Sequence, residues 1–107
     1  METDNEVREF FMKDLGRNYD PKKLYAIVEA HRDLREKSDE LTNLVTSGSI
    51  DGTEFANKAN YVNNEYFDQV GKIIGADDYK RVFEVDLGER IILVDPDIAS
   101  RIDYTKD

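Results

Sequence analysis

The sequence predicts an all-α fold: an antiparallel hairpin of two long helices, with short flanking helices and an extended C-terminal segment. Three observations predict it. Apolar residues recur in steps of three and four over residues 21–47 and again over 51–74, the spacing that gathers them on one face of a helix. Between these tracts lies Gly48-Ser-Ile-Asp-Gly-Thr-Glu54, a stretch of turn and helix-capping residues. The two apolar seams also match each other when the chain folds back at residue 50. Val45–Phe55, Leu41–Ala59, Ser38–Val62, Leu34–Tyr66 and Ile27–Ile73 pair at numbers summing to about 100.

In chain order, residues 5–15, with Val7, Phe10, Phe11 and Leu15, read as a short amphipathic helix that stops near Gly16. Asp20-Pro21 opens the first long helix. Asp accepts from free N–H groups of a first turn, and Pro loses nothing at a position whose N–H is unpaired anyway. This helix runs to about residue 47 with the seam Ile27, His31, Leu34, Ser38, Leu41, Val45. The return helix starts at Asp51, where Asp51-Gly-Thr-Glu54 has capping-box spacing. Its seam is Phe55, Ala59, Val62, Tyr66, Val70 and Ile73, ending before Gly75.

A second stripe, Ala56, Phe67 and Ile74, lies beside that seam and is half polar because Asn60 and Asn63 fall along it; Leu24 and Val28 do the same on the other helix. A two-helix hairpin cannot bury both stripes. The N-terminal helix, through Phe10 and Phe11, or a second copy of the chain is expected to cover this one.

Asp77-Asp78-Tyr79 opens a short helix over 77–85, with Tyr79, Val82 and Phe83 on one face and two acids facing the positive end of the helix dipole. Ile91-Ile92-Leu93-Val94, before Asp95-Pro96, is apolar and β-branched. No second strand pattern exists to pair it, so an extended segment laid over the helices is expected. Residues 99–107 read as a loose polar tail, and residues 1–107 as a single helical domain.

Composition narrows the function classes. The net charge is −9 and charged residues make up 36%, which argues against nucleic acid and anionic membrane surfaces as partners. There is no cysteine, hence no disulfide and no thiolate nucleophile or metal ligand. No apolar run reaches membrane-spanning length, so no membrane insertion is expected. The opening residues Met-Glu-Thr-Asp-Asn-Glu lack the features of a signal peptide, so the chain reads as cytoplasmic.

The corner invites a cation reading. Counted back from Glu54, the positions that ligate calcium in an EF-hand loop hold Asn43, Val45, Ser47 and Ser49, with Gly48 at the sixth place and Asp51 at the ninth. Asn43, Ser47, Asp51 and Glu54 are the candidate ligands. Val45, however, brings no side-chain oxygen and is required by the hairpin seam. The helix-corner reading explains the same residues without a cation.

His31 is the only histidine. Its helical neighbours Ile27, Leu34 and Arg35 make no catalytic or metal set, so a seam histidine resting on Tyr66 or Gln69 is expected. Asp95 and Asp97 flank Pro96 as a turn. Nothing assembles nucleophile, base and oxyanion site, so the expectation is a protein without enzymatic activity or cofactor. It would work by binding a protein partner or a second copy, with the aromatics outside the seam, Tyr25, Tyr61 and Phe67, as contact residues. A cation-responsive protein using the 43–54 corner is the alternative.

The order of elements from Leu24 to Phe83 resembles the Spy, CpxP and CnrX group of bacterial envelope proteins, in which a long helical hairpin precedes a short helix opening with Leu-Thr-x-x-Gln. The matching place here is Ile74-Gly75-Ala76-Asp77-Asp78, followed by Tyr79 and Phe83, with Gly75 in place of Thr and Asp78 in place of Gln. The resemblance implies a periplasmic, non-enzymatic protein, either a chaperone-like binder of unfolded clients or a stress or metal sensor. The histidines that hold metal in CnrX have no counterpart here. A net charge of −9 also contrasts with the basic client face of Spy.

Overall fold

A computed structural model of the protein describes residues 2–105. These contain five helices and no strand: α1 (Asp4–Leu15), α2 (Pro21–Thr46), α3 (Gly52–Ile74), α4 (Ala76–Phe83) and α5 (Pro96–Ala99). The two long helices pack together as the predicted hairpin.

The ends follow from local chemistry. Thr3 Oγ1 accepts from the Glu6 N–H at 3.2 Å while Glu6 Oε1 accepts from the Thr3 N–H, a reciprocal capping box at the start of α1. Asp20 Oδ1 accepts from the Lys22 N–H at 2.9 Å, with Pro21 as the first residue of α2. At the corner, the Ser49 N–H donates to Leu44 O and the Gly48 N–H to Val45 O, while Gly48 takes φ +78°. This pair of bonds is a Schellman motif, which needs a left-handed residue where glycine stands. Asp51 then accepts from the Glu54 N–H at 2.8 Å, but the Glu54 carboxylate pairs with Lys58 at 2.9 Å. The predicted capping box is thus made from the Asp51 side. The short helix expected over 77–85 ends at Phe83, because Glu84 turns left-handed at φ 62° and its N–H closes on Lys80 O.

The chain, read from its sequence as one helical domain, clusters into two compact units: Met1–Asp33 with Tyr66–Glu89, and Leu34–Glu65 with Arg90–Asp107.

The first unit is closed by aromatic packing. Phe83 of α4 meets Phe10 and Phe11 of α1, Phe67 of α3 and Tyr79 at centroid separations of 4.8–6.0 Å. Such pairs add to the large area that each ring removes from water. Beneath them Val7, Leu24, Ile27, Val28, Val70, Ile74 and Val82 are buried. His31 is 5% exposed and meets the Tyr66 ring edge-on at 5.7 Å, the seam position expected. Arg32 Nη2 donates to Asp4 Oδ2 at 2.6 Å, tying α2 to α1. Phe83 of α4, itself packed on Phe10 and Phe11 of α1, lies against Phe67 of the second stripe, and Leu24, Val28 and Ile74 are buried without a second copy.

In the second unit the seam residues Leu41, Val45 and Ala59 are buried, and Lys37 reaches Glu65 across the hairpin at 3.6 Å. After Arg90 the chain forms neither helix nor strand through Ile92 and bends at Leu93 and Val94, before Asp95 caps α5 by accepting from the Asp97 N–H at 2.9 Å. The expected loose tail needs correction at its start. Ala99 is buried, and Tyr104 packs on Phe55 at 5.3 Å. Residues 106–107 of that tail lie outside the described residues.

Candidate functional site

The feature that sequence reasoning missed is how residues 91–99 are held. An extended segment lying on a helix meets a backbone whose own N–H and C=O groups are already paired, so it has no ladder to join. Two asparagines supply one. Asn64 Oδ1 accepts from the Ile91 N–H at 2.9 Å, and its Nδ2 donates to Ile91 O at 2.8 Å. Asn60 Oδ1 accepts from both the Leu93 and Val94 N–H groups at 2.9 Å, and its Nδ2 donates to Val94 O at 2.8 Å. A carboxamide carries the same donor and acceptor as a peptide group. The two side chains therefore act as a short mock strand on the surface of α3.

The spacing explains why the pair works. Residues four apart on a helix rise about 6 Å, close to the span of two residues of extended chain, so Asn64 meets Ile91 while Asn60, one turn back, meets the bend at Leu93 and Val94. Asn64 Nδ2 also donates to Asn60 O one turn back at 2.7 Å, which locks its rotamer. Further along, a methyl group at Gly52 would overlap the Ala99 carbonyl oxygen. The absence of a side chain there lets the strap lie directly against α3. Gly52, Ala56, Asn60 and Asn64 thus form one stripe at steps of four, and the strap runs along it antiparallel to the helix.

The strap's outer side is apolar and open to solvent. Ile92 is 74% exposed, Ile98 58%, Leu93 53% and Ile102 50%. Around them Arg101 pairs with Asp97 at 2.7 Å. Asp103 Oδ1 accepts from the Thr105 hydroxyl and N–H, bonds that hold its carboxyl below the ordinary value.

The residues singled out from the sequence do not assemble into one site. Tyr25 and Tyr61 are well exposed. Phe67 is not a free contact residue: it lies between Tyr66 at 5.6 Å and Phe83 at 5.3 Å. In the corner, Ser47 Oγ bonds Leu44 O and Ser49 Oγ, Asp51 caps α3, and Glu54 pairs with Lys58. Asn43 gives its carbonyl oxygen to the Ser47 N–H and the Thr46 hydroxyl. Among the described residues, no three His, Asp or Glu side chains group as metal ligands, and no helix is long and apolar enough to cross a membrane.

One signal could have found the strap site: small or carboxamide residues every fourth place, Gly52, Ala56, Asn60, Asn64, beside an apolar seam. Compared with family models, with curated proteins and with solved structures, the chain matches none.

Proposed function

We propose that the protein is non-catalytic and binds another protein through the outer face of the strap. The observation that carries this reading is the set of exposed aliphatic side chains Ile92, Leu93, Ile98 and Ile102, the first two on backbone that Asn60 and Asn64 hold by hydrogen bonds. Apolar side chains displayed on a hydrogen-bonded backbone lose less entropy on binding than those of a free loop. With a net charge of −9, the favoured partner is apolar with basic flanks. Capture of unfolded clients is the form of this activity that the resemblance to Spy and CpxP implies.

Aggregation of reduced, unfolding lysozyme, a basic client, tests the reading. Suppression at stoichiometric amounts is expected, as is its loss in the triple variant Ile92→Ser, Leu93→Ser, Ile98→Ser with the helical circular dichroism intact. Equal protection by the variant, or none by the parent chain, would overturn the proposal.

A further inference from the structure

We infer that the Gly52–Asn64 stripe of α3 is a recognition groove for a polypeptide main chain, filled by the chain's own strap and able to take a partner's segment in its place. All five bonds from Asn60 and Asn64 to the strap end on backbone atoms. None reads a side chain, so any segment that follows the same bent backbone path, with free N–H groups at the matching places, satisfies the same amides. The strap's side chains anchor it only in part. Ile92 and Leu93 face solvent, Ile91 and Val94 are half-buried, and the one buried residue of the strap is the small Ala99 at its far end. Gly52 and Ala56 keep that end of the groove shallow enough for a main chain to lie flat.

The seated strap defines the ligand: a short aliphatic run without proline, then a turn, then a small residue opposite Gly52. The occupant is a segment of a partner protein. Two copies of this chain, each at −9, repel, whereas a segment with basic flanks is drawn in. The tethered strap competes at an effective concentration of about millimolar. A partner therefore gains apparent affinity in proportion to how often the strap is lifted.

The test uses the full chain and a fluorescein-labelled peptide of the 89–100 sequence with two added lysines. Ile91→Pro removes the N–H that Asn64 accepts and loosens the strap while leaving the groove whole. Peptide anisotropy should rise at a concentration at least about tenfold lower with this variant than with the parent chain. Adding Asn64→Ala should abolish the rise. No binding to a folded Ile91→Pro chain, or binding that survives Asn64→Ala, overturns the inference.

Hydrogen exchange on the unaltered chain gives an independent reading. The Ile91, Leu93 and Val94 amides should exchange at least about 100-fold faster than those of Ala59 and Val70, because the strap opens alone. A common rate for all of them sinks the idea, and so does a light-scattering mass showing a dimer that exchanges straps. These readouts report on Asn60 and Asn64, and the aggregation assay reports on Ile92, Leu93 and Ile98, so the two proposals fail separately.

Discussion

The two units of this chain close their helical layers by opposite means. Around Phe83, five rings from α1, α3 and α4 meet within 6.0 Å, and the stabilisation comes from apolar area. Around Asn60 and Asn64, a segment without helix or strand is held by directed hydrogen bonds while Ile92 and Leu93 stay in water and Ile91 and Val94 are half-buried. Burial of large rings is strong and insensitive to register. A pair of amides is weaker and demands one alignment.

The sharpest way to break this contrast is Phe11→Ala. Phe11 is 1% exposed and contacts Phe10 and Phe83, so about 3–5 kcal/mol of global stability should vanish in urea unfolding. A loss under 1 kcal/mol would show that the aromatic cluster does not close its unit.

The glycines offer a finer comparison. At Gly52 an added methyl meets the Ala99 backbone, which cannot step aside, whereas at Gly71 it meets the end of the Leu87 side chain, which can. Gly52→Ala should destabilise by about 1–3 kcal/mol through overpacking. Gly71→Ala should stay within about 1 kcal/mol of the parent, because better helix propensity offsets the shift of Leu87. Equal effects in thermal melts would remove the claim of close backbone approach.

Asn64→Ala leaves the Ile91 N–H and C=O without the partners they have in the native state, at a cost of about 1–3 kcal/mol. Because the strap can turn to water, the loss should be local. Exchange of the Ile91 amide should accelerate while that of Val70 holds, and uniform acceleration would contradict a separately held strap.

The smallest effect near neutrality concerns Tyr66. Burial, then the Glu2 charge, raises its phenol above the ordinary 10.0. Above pH 10 the folded chain keeps a proton that the unfolded chain releases, so stability falls as pH rises, by up to about 1.4 kcal/mol per pH unit. Tyr66→Phe should flatten that part of the alkaline limb, and an unchanged slope would assign it to other groups.

Much of the hairpin was legible because its signals are local or repeat at the helical period: Asp20-Pro21 at one start, Gly48 at the corner, and seams that mirror about residue 50. The strap site was not. Asn60 looked like a polar blemish on the second stripe, and Asn64 carried no motif. An asparagine that meets backbone 27 or more residues away leaves no periodic trace. The packing of Phe67 on Phe83 was illegible for a related reason, since it depends on α4 returning to meet α3. The corner residues Asp51 and Glu54 were placed correctly at the start of α3, but the choice of Lys58 as the Glu54 partner required the folded helix.

By itself, the sequence determined the helices and their pairing, because helix periodicity, caps and seam register are encoded over a few turns of chain. Only the tertiary structure decided that a β-branched run with no strand to join would find its backbone partners in two side-chain amides. The physical reason lies in range. Helix hydrogen bonds close within four residues, whereas a strap must satisfy its N–H and C=O groups wherever the folded surface offers an amide at the right height.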